Sequence, residues 1–269
     1  MAAYAAMVER LDNGVGGILD ALKEKGIEQN TLVLFLSDNG ACAEVIQPGF
    51  YDVPSKTRNG QPIRAGNDSH LWAGQENIWQ SYGVPWANVS DTPFRLYKHF
   101  THEGGISTPF IASWPAMIHG SNSLTRQMGH ITDIMATCLD AAGVSYLRSY
   151  KGHSILPTEG RSLLPIFQGK TRDLRPLFWE HEGNRAMRLG QWKLVSRYPN
   201  DWELYDTETD RTELYNLALK RPDEVKKLSA LYQEWANRCG VVSPDRLPPI
   251  KRVIPAKDGA NAVGQDDPD

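Results

Sequence analysis

The sequence predicts an α/β main domain followed by a small antiparallel α+β unit, and three observations carry that prediction. An amphipathic helix leads into the continuous apolar stretch of residues 31 to 37, the pattern of a strand in a parallel sheet covered by helices on both faces. After residue 176 the apolar runs change to the alternating pattern of hairpins. One amphipathic helix near the C-terminus then closes those hairpins.

Each element has its own local reason. In residues 2 to 25, Tyr4, Val8, Leu11, Val15, Ile18, Leu19 and Leu22 recur at steps of three and four, and Gly26 supplies a C-terminal cap. The strand "TLVLFLS" is followed by Asp38, Asn39 and Gly40. That triplet is good turn chemistry. It is also where a ligand would be met, because open α/β sheets bind beyond the carboxyl ends of their strands. Residues 41 to 95 show no sustained periodicity and are expected to form a long binding loop or lid. Trp72, Trp79, Tyr82 and Trp86 argue against disorder there, and as a set they suggest an ordered wall beside a site.

A basic segment then leads through Gly104-Gly105 into a short strand from Pro109 to Trp114, and "HITDIMATCLDAAG" (130 to 143) reads as a helix ending at Gly143. "LFWEH" (177 to 181) is a strand, and "RAMRLGQWKLVSR" (185 to 197) is a hairpin turning near Gly190. "WELYDTETDRTELYNLA" gives a strand and an acidic turn, and residues 222 to 239 form an amphipathic helix with Pro222 at its start, expected to lie against the sheet. The chain thus divides into a main α/β part (1 to 150), a connecting segment (151 to 176), an antiparallel sheet with its helix (177 to 240) and a loose tail (241 to 269).

Composition bounds the function. The 269 residues are 41% hydrophobic and 23% charged with a net charge of -3, which suits a globular protein and offers no basic footprint for nucleic acid. No apolar run approaches the roughly 20 residues that span a bilayer. The N-terminus lacks the basic start and apolar core of a signal peptide. Cys42, Cys138 and Cys239 are odd in number and far apart, which speaks against both a disulfide framework and a zinc cluster.

Five segments, taken in order, carry a resemblance: "VERLDNGVGGILDALKEKGI", "NTLVLFLSDNGA", "WANVSDTPFRLYKHFTHEGGISTPFIASWP", "HITDIMATCLDAAG" and "RLGQWKLVSRYPNDWELYDTETDRTELYNLA". Together they span roughly residues 4 to 235 and resemble the C-terminal portion of a type I, arylsulfatase-like sulfatase of the alkaline phosphatase superfamily. The resemblance implies an alkaline phosphatase-like mixed sheet flanked by helices and hydrolysis of sulfate esters. It implies that Asp38 and Asn39 are Ca2+ ligands and that Lys98, in "YKHF", contacts the sulfate. Oxygen donors suit calcium, and an ammonium offsets charge on a transferred group. Without the neighbouring matches Lys98 would read as a solvated surface lysine, His99 and His102 as satisfied loop histidines, and Glu103-Gly104-Gly105 as the turn into the next strand. The family also suggests a periplasmic or secreted location.

The departures are as informative. The family's nucleophile is a formylglycine made from Cys or Ser in a Cys/Ser-x-Pro-x-Arg motif. None of the three cysteines has proline two places on, and "VPSKTR" has proline on the wrong side of Ser55. Calcium takes 6 to 8 oxygens, and two side chains are far short of that. The expectation is therefore a chain whose partner is the missing N-terminal half, inactive by itself. A phosphodiesterase or phosphonate hydrolase of the same superfamily, or a non-catalytic or complementing fragment, are the alternatives.

Overall fold

The structure is a computed structural model and describes residues 1–46, 55–119 and 123–246. The loose tail expected over 241 to 269 lies, from residue 247 on, outside the described residues, as does part of the long loop, 47–54.

In chain order the elements are α1 (Ala2–Glu24), β1 (Val33–Leu36), β2 (Arg64–Ala65), β3 (Ile78–Trp79), α2 (Gly83–Asp91), α3 (Glu103–Ile106), β4 (Phe110–Ser113), α4 (Asp133–Ala141), β5 (Ser149–Tyr150), β6 (His153–Ser154), α5 (Leu164–Phe167), β7 (Leu177–His181), β8 (Asn184–Leu189), β9 (Trp192–Ser196), β10 (Glu203–Asp206) and α6 (Pro222–Cys239). They gather into two compact units. One holds Met1–Leu11, Asn39–Ser107 and the chain from Phe178; the other holds Asp12–Asp38 and Thr108–Leu177.

The unit containing the C-terminal sheet is ordered β10-β9-β8-β7, and β9 runs antiparallel to both β8 and β10. Its register follows the period-two rule. Met187 pairs with Leu194 and Leu194 with Leu204, so one face presents a row of aliphatic side chains. That row meets Leu228, Tyr232 and Ala236, which recur every four residues on α6 and are buried with it. Pro222 starts α6, Asp223 and Glu224 sit in its first turn, and Gly240 ends it at φ 71°. The opposite face carries Ala186, Val195 and Tyr205 with Lys193 and Glu203 in the same phase. A second cluster in this unit joins Ala43, Ala87, Leu96, Tyr97 and Phe100. Ala87 belongs to α2, a helix inside the stretch read as aperiodic; nine residues offer too few turns for a period to show. Tyr82 packs on that cluster and against Tyr4 with ring centroids 4.8 Å apart, whereas Trp72, Trp79 and Trp86 are exposed.

In the other unit β1 pairs antiparallel with β4, Val33 opposite Ser113 and Leu36 opposite Phe110. Among the described residues these two strands form a sheet by themselves, so the parallel neighbours expected for β1 are not supplied here. An apolar run reports how a strand is covered; it does not fix the direction of its neighbour. The helix expected over 130 to 143 is α4, and its first residue, Asp133, is fully buried. Asp133 accepts from the backbone N–H of Arg161 and forms ion pairs with Arg172 and Arg175, which ties the segment before β7 to the helix.

Candidate functional site

Asn39 and Lys98 lie in the same compact unit, within Asn39–Ser107, and Asp38 is the last residue of the Asp12–Asp38 stretch that precedes it. Ser37 and then Asp38 follow β1; Asp38 is exposed and Asn39 is half-buried. The Gly40 N–H donates to the Gly105 carbonyl at 2.9 Å, and the Ala41 carbonyl accepts from the Lys98 N–H at 3.0 Å. The Ala41 N–H donates to both oxygens of the Asp91 carboxylate, at 3.0 and 3.1 Å. Residues 40 and 41 are therefore laced to the segment that carries Lys98. Gly40 is there for close approach and not for a turn. A Cβ on it would fall 1.7 Å from the Gly104 carbonyl oxygen, far inside any real contact.

Lys98 is held by its neighbours. Leu96 and His99 both have positive φ, 63° and 96°, and bracket Tyr97-Lys98. Such conformations cost a residue with a Cβ about 1 kcal/mol or more and persist where the surroundings over-determine them. Here Leu96, Tyr97 and Phe100 are buried in the cluster with Ala43 and Ala87. The Lys98 ammonium lies 3.6 Å from the Glu44 carboxylate with both side chains substantially exposed, a pairing that a stronger anion can displace. Burial pushes the Cys42 thiol up, so near neutral pH it is a thiol and not an activated nucleophile.

Beneath this segment is a group of charges that sequence reasoning missed. Glu103 opens α3 and is 2% exposed; Lys193 and Glu213 are 0% exposed. The Lys193 ammonium lies 2.9 Å from Glu103 and 2.7 Å from Glu213, and the Glu103 N–H donates to Glu213 at 2.8 Å. Burial raises the Glu103 carboxyl, but Lys193, Arg188 and Arg211 outweigh it and hold the group below its ordinary value. Beside it the buried His102 ring lies 3.6 Å from Glu203, and Arg95 donates to Tyr205 and to the Glu213 carbonyl. Glu103 is thus an anchor that fixes the Lys98 segment to the polar face of the sheet, and more than a turn former.

The donor set of Asp38 and Asn39, one carboxylate and one amide, suits a hard cation such as Ca2+ and could fill part of its shell. The nearby carboxylates are engaged elsewhere, Asp91 with the Ala41 N–H and Glu44 with Lys98.

Known proteins resemble this chain in sequence and in fold. The sequence model described as "Sulfatase" matches residues 1–144, and the one described as "N-sulphoglucosamine sulphohydrolase, C-terminal" matches residues 94–235. An uncharacterized sulfatase of Schizosaccharomyces pombe is 34% identical over 254 residues, covering 91% of this chain and 45% of that protein. An arylsulfatase of Klebsiella aerogenes is 33% identical over 177 residues, covering 65% of this chain and 36% of its own. In fold, the crystal structure of Ps i-CgsB superposes with a TM-score of 0.60 at 20% identity, covering 87% of this chain and 42% of that one. The chain spans less than half the length of these relatives.

Proposed function

The chain belongs to the sulfatase family, and from that premise we propose that it supplies one part of a site that hydrolyses sulfate esters. In this reading residues 1 to 150 are part of the catalytic α/β domain, and Asp38 and Asn39 are two oxygen ligands of a Ca2+ ion. A bound calcium would supply positive charge to the oxygens of the sulfate group. Lys98 contacts the same group: its ammonium exchanges the loose pairing with Glu44 for the sulfate oxygens and offsets the charge that develops on them. The observation that carries the proposal is the lacing of Gly40 to Gly105 and of Ala41 to Lys98, directly after Asn39, which supports a shared role for the Asn39 and Lys98 segments.

The remaining ligands and the formylglycine nucleophile would come from residues outside this chain. Exposed apolar side chains support that part of the proposal. Ile18, Leu19, Phe35, Ile111 and Met135, all in the unit built around β1 and β4, lie open to solvent, and a two-stranded sheet is marginal until something covers it. Among the described residues no helix is long and apolar enough to cross a membrane.

The test begins with the coding DNA upstream of Met1, read for an in-frame Cys/Ser-x-Pro-x-Arg segment. Protein carrying that segment is then assayed on an aryl sulfate beside a calcium titration. Asp38→Ala should weaken metal binding and activity together. Lys98→Ala should keep calcium affinity and lose about 10²–10³ in turnover, the cost of removing one donor aimed at developing charge. A Lys98→Ala protein that loses calcium as badly as Asp38→Ala would overturn the assignment.

A further inference from the structure

We propose that His99, His181 and Glu182 form a binding site for a divalent transition-metal ion of the zinc type, using none of the residues assigned to calcium. The three residues offer one ligand atom each, and these atoms all lie within 4.8 Å of one another. His99 Nδ1 and Glu182 Oε2 are 3.3 Å apart. Ligands placed tetrahedrally at zinc-to-nitrogen and zinc-to-oxygen distances of about 2.0–2.1 Å stand about 3.3–3.4 Å from each other, so this pair already spans one edge of a zinc tetrahedron. His181 is exposed at the end of β7, where a torsion change can bring its ring the rest of the way. Its ring now stands edge-on to His99 with centroids 5.1 Å apart.

The chemistry of the set selects the ion. Two imidazoles and one carboxylate favour zinc, copper or nickel over calcium, which prefers oxygen throughout. Three protein ligands leave a fourth position open to water. The backbone presents these donors in advance. His99 and Glu182 sit at positive φ, 96° and 51°. Asn184, itself 3% exposed, donates to the His99 carbonyl at 3.3 Å, and Gly183 N–H donates to Glu180 at 2.8 Å, so both ligand-bearing turns are held from outside the cluster. A bound ion would join the residue after Lys98 to the β7–β8 turn.

Calorimetry of the whole chain with Zn2+ alone tests the proposal. Saturable binding of one ion per chain is expected, and His181→Ala and Glu182→Gln should each weaken it at least about 10-fold, since even outer-sphere partners of a metal contribute that much. Both positions are exposed, so thermal unfolding in the presence of a chelator should match the parent protein. Substituting Co2+ should give a spectrum without the near-ultraviolet band of thiolate ligation, which excludes Cys42, Cys138 and Cys239 as the binding groups. Excess Ca2+ should leave the zinc affinity unchanged. No saturable binding, binding that survives both substitutions, a thiolate band, or competition by Ca2+ would each overturn it. None of these measurements uses sulfate ester turnover, so the outcome is independent of the sulfatase assignment.

Discussion

Lys193→Met should destabilise the unit that contains the C-terminal sheet by about 3 kcal/mol at neutral pH, within the range of about 3–5 kcal/mol seen when one member of a buried ion pair is removed. The structure places the loss near the lower bound. Lys193 lies 2.9 Å from Glu103 and 2.7 Å from Glu213, all three at most 2% exposed, so methionine leaves two buried carboxylates facing each other's segment. Some compensation remains, because Arg211 is 3.8 Å from Glu103 and Glu213 still accepts from the Glu103 N–H. The pH dependence distinguishes this from a packing defect. In the parent chain burial raises Glu103 and the cations around it hold it below its ordinary value, so its stabilisation is present above that value and is lost as pH falls through the lowered one. Without Lys193 burial wins and the carboxyl moves above its ordinary value of about 4.3. The folded variant then takes up a proton that the unfolded chain does not, and its deficit narrows on acidification. Urea unfolding followed by tryptophan fluorescence, with a slope of about 3 kcal/mol/M, should show the midpoint about 1 M lower near neutral pH. A loss under about 1 kcal/mol, or a deficit that stays constant or widens towards pH 5, would refute the argument.

Other expectations follow from single features. The purified chain with Ca2+ should not turn over an aryl sulfate, because the covalent partner of the reaction is absent from its sequence; measurable hydrolysis above a heat-inactivated control would contradict this. Gly40→Ala should lower stability by about 1–3 kcal/mol or more, read as a drop in melting temperature, because its methyl group meets the Gly104 carbonyl oxygen at 1.7 Å. Asp133→Asn should cost about 3 kcal/mol in denaturant unfolding by leaving Arg172 and Arg175 without their shared counter-charge. Burial lowers the His130 imidazole, with Asp133 opposing, so its neutral form stabilises the fold above the ordinary histidine value of about 6.5 and that contribution is lost as pH falls through the lowered one. Parent protein should therefore lose melting temperature more steeply than His130→Asn as pH falls from the ordinary value to the lowered one, and parallel curves over that range would remove His130 from the account.

The fold was legible where burial is periodic. The β8–β9 hairpin with its turn at Gly190 and the buried stripe of α6 follow directly from alternation and from steps of four. Helix α2 was not legible because its nine residues bury little beyond Ala87, and its Gly83-Val84-Pro85 start was the one local signal available. The direction of pairing of β1 was hidden for a different reason. Apolar content shows that a strand is covered, while its partners are chosen by chain far away, here the 110 to 113 strand.

The site divides in the same way, and the division has a physical cause. Asp38, Asn39 and Lys98 stand in short segments whose letters and spacing survive in one dimension, so family resemblance could reach them. What positions them could not be read locally. Lys193 looks like a surface lysine between Trp192 and Leu194, yet strand alternation puts it in phase with Tyr205, on the face where Glu103 arrives. The signal was present only as an acid directly before Gly104-Gly105 and a lysine in an otherwise apolar strand, each ordinary alone. His99 and His181 meet where the backbone at His99 has positive φ, a conformation uncommon for any residue with a Cβ, which the sequence does not mark at this position. A substitution that keeps this backbone and removes the ring therefore separates the two readings. His99→Gly, which accepts positive φ freely, removes the imidazole but preserves the path of the chain. It should abolish Zn2+ binding and leave the Lys98 to Ala41 hydrogen bond in place. Amide hydrogen exchange at Lys98 measures that bond directly: protection that falls with His99→Gly would mean that the ring, and not the packing of Leu96 and Phe100, holds Lys98 in position.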